Sequence, residues 1–291
     1  MTKYKVRKPV LTVYMPVFNA QDYVGQAIES ILSQTYSNFE FIIIDDHSTD
    51  NSWRLIKKYA RLDKRIRIYR NKVNMGVSLT SNIAISCARG KYLARMDADD
   101  ISFPGRLEQQ IQYFQNHKNV SAIGGQCICI DPDNRIVGYK KFPFDFTKIM
   151  SMIFWAIPLQ QSSMMINRSL LPKNFIWFDQ NKTSAEEIDL MFRLSTYGPM
   201  INLPDFLLYY RQLPDSLSHK NPKQTYFLTL KSRISALKNG FRPTTAAIIM
   251  NLVQFGAVLV LPAPVILMAW NTIRGINNAH KEYPLGSLAT T

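Results

Sequence analysis

The stretch Met96-Asp97-Ala98-Asp99-Asp100 places three carboxylates within four residues, one residue after the apolar run Tyr92-Leu93-Ala94. Like charges this close to one another disfavour each other's ionisation. A divalent cation such as Mg²⁺ or Mn²⁺ would relieve the repulsion, because it prefers oxygen ligands and keeps positions open for water or phosphate. The stretch therefore predicts a metal site for a diphosphate, and a solvated Asp-rich turn is the alternative.

A calcium loop of the EF-hand type does not fit these residues. Such a loop needs an oxygen ligand at its fifth position and glycine at its sixth. Counted from Asp97, those two positions hold Ile101 and Ser102.

Composition narrows the class of protein. With 291 residues and 46% hydrophobic residues, the chain can form one large domain or two modest ones around a real core. The formal charge of +14 predicts an acidic partner, either a nucleotide, a nucleic acid or an anionic membrane surface. Three cysteines without zinc-like spacing, four scattered histidines and no signal-peptide core at the N-terminus indicate a cytosolic protein with reduced thiols.

Apolar runs and helical spacings alternate over residues 10–96. Strands are predicted at 10–15, 39–44, 66–69 and 92–96, with helices at 23–32, 55–62 and 77–87 between them. Pro16 is expected to end the first strand, Asp22 to cap the first helix, and Gly90 to form a left-handed cap after the third helix. This alternation predicts an α/β fold with a mostly parallel central sheet and helices on both faces.

Polar clusters follow three of the predicted strands. They are Pro16-Val17-Phe18-Asn19, Asp45-Asp46 and Asp97-Ala98-Asp99-Asp100. The carboxyl ends of parallel strands meet at one edge of a sheet, so we expect a ligand site there. A dinucleotide-binding Rossmann site is excluded because the first turn contains no glycine, and its aromatic residue suggests stacking on a base instead.

Two charged stretches have two interpretations each. Nine basic residues and one acid lie between Arg54 and Lys72, which fits a solvated helix face or a surface for lipid headgroups or a lipid-phosphate acceptor. Residues 184–194 have a helical pattern with Leu190 and Leu194 inward, and their acidic start either complements the helix dipole or supplies a general base. Between them, a helix is predicted at 107–114, and Gly124-Gly125 and residues 131–134 are loop or hairpin signals.

Residues 246–270 contain no charged side chain. The segment is long enough to span a bilayer, but Pro262 and Pro264 interrupt it. A kinked span, a re-entrant pair of helices, a segment lying in the interface and a buried core helix all remain open. Basic residues precede the segment at positions 231, 233, 238 and 242, and this asymmetry predicts that the N-terminal domain is cytoplasmic.

The motifs, taken in order, resemble those of the GT-A fold, family 2 glycosyltransferases of bacterial surface-polysaccharide synthesis, over about residues 10–220. The matching stretches are 13–19, 44–50, 74–78 with Asn82, 94–100, Pro104 with Arg106-Leu107, and 185–190 with Arg193. The resemblance implies a Rossmann-like GT-A domain at 10–230, with a nucleotide-sugar half (10–100) and an acceptor half (101–230). A tail (1–9) would precede it, and a membrane-associated helical region (231–291) would follow.

The resemblance also implies roles for particular residues. The nucleotide sugar would be bound by Pro16, Phe18, Asn19, Asp46, Asn82, Asp97 and Ala98. Phe18 would stack on the base and Asp46 would hydrogen-bond its edge. Asp99 would bind the Mn²⁺ or Mg²⁺ that bridges the two phosphates. Glu187 would be the catalytic base, with the adjacent Glu186 as the alternative.

The reaction implied is an inverting, single-displacement transfer from a nucleotide-diphosphate sugar, UDP rather than GDP, to a glycan or lipid-linked acceptor. It would take place at the cytoplasmic face of the inner membrane, with no nucleic-acid partner. Two positions depart from the family pattern: Glu187 stands where Asp is usual, and Ser81 where many members carry Arg. A sugar-nucleotide pyrophosphorylase, which would need a glycine-rich, lysine-bearing loop after the first strand, and a non-catalytic membrane-anchored scaffold are the rival interpretations.

Overall fold

The computed structural model describes residues 9–179, 186–213 and 221–273. Three predicted features lie wholly or partly outside these ranges. They are the N-terminal tail apart from Pro9, positions 184–185 of the acidic helix and its motif, and residues 274–291 of the C-terminal region.

Within the described residues, one nine-stranded sheet forms the centre of the fold. Its strands are β1 (Leu11–Val17), β2 (Phe39–Asp45), β3 (Ile66–Arg70), β4 (Tyr92–Arg95), β5 (Ile101–Ser102), β6 (Ala122–Ile130), β7 (Ile136–Lys140), β8 (Met165–Asn167) and β9 (Met200–Arg211). They follow the order β3-β2-β1-β4-β8-β6-β9-β5, and β7 pairs with β6.

The strands β3, β2, β1 and β4 are all parallel, as the alternation predicts. Beyond β4 the sheet is mixed, because β8 runs antiparallel to both β4 and β6, while β6 and β9 are parallel. The α/β class is confirmed, but the mostly parallel character holds only for the first half. The strands β6 and β7 are also antiparallel. Only a short turn joins them, whereas parallel neighbours need a long crossover connection.

Helices cover both faces of the sheet. They are α1 (Val24–Leu32), α2 (Ser52–Leu62), α3 (Val77–Ser86), α4 (Arg106–Asn116), α5 (Phe146–Ile153), α6 (Glu186–Leu194), α7 (Pro222–Lys238), α8 (Thr245–Val260) and α9 (Ala263–Ile273). Val13 and Met15 of β1 point into the core under α1, α2 and α4, whereas Tyr14 points to the opposite core, under α3, α5 and α6. Every residue of β2 is buried, as expected for a parallel strand covered on both sides.

Two of the predicted boundary signals in the first half are wrong. The strand β1 continues through Pro16 to Val17. The carbonyl of Tyr14 accepts from Met96 N, so the missing N–H of Pro16, two residues on, faces β4 where its pairing ends. Asp22 does not cap α1, because the helix begins after Tyr23 without a side-chain cap and Ala20 O already accepts the N–H groups of Tyr23 and Val24.

The predicted roles of three glycines are also wrong. Gly90 is not left-handed. A Cβ at this position would lie 2.4 Å from the backbone N of Thr12, so the glycine is required for the close approach of the chain to β1. Gly124 and Gly125 do not form a loop but lie inside β6, next to a register shift in its pairing with β9. The predicted turn at residues 131–134 does join β6 to β7 as a hairpin.

The apolar segment 246–270 forms two helices, α8 and α9, which are separated at Leu261 and Pro262. Within the described ranges, we find no helix with the length and apolar character needed to cross a bilayer. The boundary predicted between residues 230 and 231 falls inside α7. Several apolar side chains of α8 are exposed: Ile248, Ile249, Met250, Leu252, Val253, Phe255, Leu259 and Val260.

Candidate active site

The ends of β1, β2 and β4 meet at one edge of the sheet, as predicted. Asp46 N donates to the carbonyl of Val17 at 2.7 Å, and Met96 N donates to the carbonyl of Tyr14 at 3.0 Å. The polar residues that follow these three strands therefore share one rim, to which a fourth group is added by α6.

The two aspartates at the end of β2 are held by the protein itself. Asp45 Oδ2 accepts from Arg70 Nε at 2.9 Å and from Ser48 N at 3.2 Å. Asp46 accepts three hydrogen bonds, from Asn71 Nδ2 at 2.7 Å, Met75 N at 2.9 Å and Gly76 N at 2.8 Å. Gly76 has a φ of 82°, so the turn that delivers its N–H to Asp46 favours glycine.

The residues after β1 connect this rim to the β2 loop. Asn19, with a φ of 48°, donates its N–H to Ser48 Oγ at 3.0 Å and accepts from Thr49 N at 2.9 Å. Its neighbour Phe18 keeps 49% of its surface exposed at the rim. An exposed aromatic ring on a fixed turn can stack on a flat ligand. Pro16, half-buried in β1, supports this turn from below.

Asp100 anchors the acidic turn after β4. Its carboxylate is buried and accepts from Ser162 Oγ at 2.5 Å and from Arg211 N at 2.8 Å. Burial, with the charges of Asp99 and Asp97, raises its pKa well above the usual range. Both its oxygens are engaged with the protein, so Asp100 fixes the turn rather than facing a ligand.

Asp99 and Asp97 are the acids that this anchoring leaves available. Burial, followed by the charge of Asp97, raises the pKa of Asp99 to about 6. No other described residue donates a hydrogen bond to the Asp99 side chain, although its carbonyl accepts from Arg211 Nε at 2.8 Å. Asp97 is 28% exposed and pairs with Arg95, while Ala98 between them is buried.

These two carboxylates fit a hard divalent cation. A bound cation would stabilise the ionised form of Asp99 and so offset the effect of burial on its pKa. The described ranges contain no group of three or more His, Cys, Asp or Glu side chains arranged around an ion. A cation here would therefore take its remaining ligands from water or phosphate, as Mg²⁺ commonly does.

Arg95, the last residue of β4, lies beneath the acidic turn. Its Nε donates to Asp97 Oδ1 at 2.8 Å, and its Nη1 lies 3.4 Å from the Oγ of Ser81, the position at which many members of the resembled family carry arginine. Burial alone would lower the pKa of Arg95, but the charges of Asp97, Tyr14 and Glu186 raise it overall. The guanidinium is therefore a permanent cation in the floor of the site.

The first turn of α6 brings Glu186 and Glu187 towards this floor. Glu186 is buried, and its charge contributes to the raised pKa of both Arg95 and Tyr14. Glu187 is half-buried. Leu190 and Leu194 on the same helix are buried as predicted and hold it against the core. The sequence separates Glu186 by nearly 90 residues from the acids after β4, and the fold brings its charge close to Arg95.

Asn82 makes a structural contact on α3. Its Nδ2 donates to the carbonyl of Phe178 at 2.9 Å, and its Oδ1 accepts from Phe178 N at 3.1 Å. This pair of hydrogen bonds fixes the segment that leads towards α6. A contact of Asn82 with the donor stays a prediction, and so do the ligand roles of the other site residues.

Three site residues were not singled out from the sequence: Arg95, Ser162 and Arg211. The charge of Arg95 inside an apolar strand pattern is a signal that could have found it. Arg211 carries the same signal at the end of the apolar run of β9, whereas Ser162 carries none. Arg211 reaches the acidic turn across 112 positions of sequence because β5, directly after the turn, pairs with β9.

Comparison with known proteins identifies the family. The profile described as Glycosyl transferase family 2 matches residues 12–175, more than half of the chain. An uncharacterized glycosyltransferase of Haemophilus influenzae is 32% identical over 211 residues, which cover 70% of this chain and 65% of that protein. The chain therefore belongs to glycosyltransferase family 2, and it spans slightly less than two thirds of this relative's length.

Solved structures share the fold. Residues 1–349 of TarS from S. aureus, in complex with UDP-GlcNAc, superpose with a TM-score of 0.66 at 18% identity, covering 83% of this chain and 70% of that one. The mannosyltransferase PcManGT from Pyrobaculum calidifontis, in complex with GDP-Man and Mn²⁺, gives 0.58 at 18% identity, covering 95% and 89%. At this identity the likeness shows the GT-A-type fold alone.

Proposed function

We propose that this protein is an inverting, metal-dependent glycosyltransferase that moves a sugar from a nucleotide-diphosphate donor, UDP-linked rather than GDP-linked, to a hydroxyl of a glycan or lipid-linked acceptor. The pathway would be surface-polysaccharide synthesis. The observation that carries the proposal is the pair Asp97 and Asp99, held at the rim by Asp100 and Arg211 but left with acceptor capacity. Neighbouring structures with UDP-GlcNAc and with GDP-Man and Mn²⁺ support the donor class.

In this proposal the residues of the rim divide the work. Asp99, with Asp97 beside it, would hold Mn²⁺ or Mg²⁺, which when bound neutralises the charge of the leaving diphosphate. Phe18 would stack on the base, and the turns fixed by Asn19 and Asp46 would surround the nucleoside. In this proposal the sugar of a bound nucleotide would extend towards the first turn of α6.

Glu187 is the proposed base that takes the proton of the acceptor hydroxyl. Its neighbour Glu186 is buried beside the cationic Arg95, so its carboxylate is less accessible to an acceptor hydroxyl. Glu187 has more solvent access and lies on the same rigid first turn. A positioned base of this kind typically contributes about 10²–10⁴-fold to the rate.

The test is transfer from a panel of UDP- and GDP-sugars with Mn²⁺, using wild type, Glu187→Gln and Glu186→Gln. We expect Glu187→Gln to lose transfer by about 10²–10⁴-fold while still binding the donor. Normal turnover in the Glu187→Gln variant, with loss in Glu186→Gln, would reassign the base. Nucleotidyl exchange with pyrophosphate would support a pyrophosphorylase, and donor binding without any turnover would support a scaffold.

We also propose that the exposed apolar face of α8 lies in the cytoplasmic surface of the inner membrane. Leu252 and Val253 are each more than 60% exposed, and Val260 is 82% exposed. Exposed basic side chains flank this face at Lys238 and Arg242. An apolar helix face beside cationic residues is the combination that binds anionic interfaces without spanning them.

Flotation of the full chain with vesicles of phosphatidylcholine and phosphatidylglycerol tests this second proposal. Wild type is expected to float with the vesicles, and the variant Leu252→Glu/Val253→Glu is expected to remain in the dense fraction. The matched control, Asp133→Asn on the distant β6–β7 turn, should float like wild type. Equal flotation of all three proteins would contradict the proposal.

A further inference from the structure

Arg95 is a large cationic side chain that is almost fully buried, and burying a charge costs free energy. It is 4% exposed at the end of β4, between the sheet and α3. A buried charge is retained only when it is paired and hydrogen-bonded. The partners of Arg95 therefore indicate what its charge is used for.

One set of partners lies on the donor side of the site. Arg95 Nε donates to Asp97 Oδ1 at 2.8 Å. The small side chain of Ser81 on α3 leaves room for the guanidinium, whose Nη1 lies 3.4 Å from the serine Oγ. The planar guanidinium thereby fixes the rotamer of Asp97, whose side chain is 28% exposed.

The other set of partners lies on the acceptor side. The guanidinium of Arg95 lies 5.9 Å from the ring centroid of Phe178. The carbonyl of the preceding residue, Trp177, accepts from Arg193 Nη2 of α6 at 2.8 Å, so this segment links Arg95 to the helix whose first turn buries Glu186.

We propose that Arg95 is a positioning residue that couples the two halves of the active site, by fixing Asp97 on the donor side and, through Phe178, the start of α6 with Glu186 on the acceptor side. The inference rests on the proposed transferase function. We further infer that the guanidinium acts through its position in space, so an arginine from another element could replace Arg95. An arginine at position 81 would emerge only 3.4 Å from the present guanidinium, so it could occupy the same volume if Arg95 were shortened.

The experiment compares wild type, Arg95→Met, and the double variant Ser81→Arg/Arg95→Met. We expect Arg95→Met to lower kcat about 100-fold, the size typical of a small misplacement of reacting groups. Its affinity for UDP or GDP with Mn²⁺, measured by calorimetry, should fall about tenfold, because Asp97 loses a charge-assisted hydrogen bond. The double variant should recover at least tenfold in kcat.

A matched control separates positioning from stability. Arg67→Met removes a second arginine that pairs with a carboxylate. Its partner is the buried Glu40 near the start of β2, at the opposite end of this strand from Asp45 and Asp46. This substitution should lower the thermal unfolding midpoint as Arg95→Met does, yet leave the kcat of the folded enzyme unchanged. Circular dichroism confirms that each variant is folded at the assay temperature.

Two results would overturn the inference: a folded Arg95→Met enzyme with wild-type kcat and affinity, or a folded double variant no more active than Arg95→Met. Failure of the proposed function is recognised separately, as wild type that transfers no sugar from any donor. In that case the calorimetric arm still decides, since restored UDP or GDP binding in the double variant would support the positioning role without transferase activity.

Discussion

The acids after β2 and the acids after β4 lie on the same rim of the sheet, yet the protein treats them differently. Asp46 is saturated with three hydrogen bonds from the 71–76 segment, and Asp45 pairs with Arg70. Asp99 receives no hydrogen bond from another described side chain, and its pKa is raised to about 6, first by burial. The number of internal partners therefore separates carboxylates that build the site from those that remain available to a ligand.

The largest expected effect comes from the acid with the fewest partners. Asp99→Asn should lower kcat about 1,000-fold, because a neutral amide would bind the proposed cation weakly, and this cation neutralises the charge of the leaving diphosphate. Urea denaturation of the metal-free variant should show no loss of unfolding free energy, since the substitution removes a buried charge. Initial rates at saturating Mn²⁺ provide the measurement, and activity within tenfold of wild type would contradict the distinction between the two strand ends.

A structural effect is expected at the saturated acid. Asp46→Ala should lower the free energy of unfolding by about 2–3 kcal/mol, because it leaves the donors of Asn71, Met75 and Gly76 without their acceptor. Hydrogen exchange should show increased opening of residues 71–76. Unchanged stability together with lost nucleotide binding would mean that Asp46 serves the ligand and not the loop.

A third carboxylate tests the same principle through pH. Burial alone would raise the pKa of Glu40, but hydrogen bonds from Arg89, Arg67 and Thr12 lower it below the usual value. Its stabilising contribution is therefore complete above the unfolded pKa of about 4.3 and is lost as pH falls through the lower folded pKa. Glu40→Gln should cost about 1–2 kcal/mol at pH 7, given its partly exposed arginine partners.

The pH series for this variant is the decisive measurement. The difference in unfolding free energy between wild type and Glu40→Gln should be constant from pH 7 down to about 5 and should shrink below about pH 4. A difference that grows as the pH is lowered would have the wrong sign for a carboxylate with a lowered pKa. Urea denaturation at a series of pH values across this range is sufficient to distinguish these outcomes.

The smallest effect is expected for an acid that, like its partner, is largely exposed to solvent. Asp133 pairs with Arg135 at 3.3 Å on the β6–β7 turn, and both side chains are about 70% exposed or more. Asp133→Asn should change the free energy of unfolding by less than about 0.5 kcal/mol and leave transfer unchanged. A large loss of stability in Asp133→Asn would show that burial does not determine how much each of these carboxylates contributes to the free energy of unfolding.

The basic residues between positions 54 and 72 also fall into two groups, one paired with acids of the protein and one exposed. Arg65, Arg67 and Arg70 pair with acids of the protein, at Asp63, Glu40 and Asp45. The exposed residues Arg54, Lys57, Lys58 and Arg61 of α2 line a groove with Gln21 and Asn51. The exposed residues of α2 agree with the predicted solvated helix face, whereas the paired arginines neutralise acids of the protein, and a surface for lipid headgroups or a lipid-phosphate acceptor stays a prediction.

Local pattern was sufficient for the first half of the fold. Apolar runs and helical spacing predicted β1 to β4 and α1 to α3 to within a few residues, because each element there buries a regular face. The predictions that failed were single-residue signals such as Asp22, Gly90 and Gly124, whose meaning depends on what packs against them. The mixed pairing of β8, β6 and β9 has no local signature.

By itself, the sequence determined the class of fold, the edge at which the acids collect and the family, since these follow from periodicity and from motifs read along the chain. Only the tertiary structure decided which acid is available. That distinction depends on Ser162 and Arg211 reaching Asp100, on residues 71–76 folding over Asp46 and on Arg95 lying between Asp97 and Glu186. A carboxylate's pKa and its free lone pairs are set by neighbours in space, and those neighbours come from distant parts of the chain.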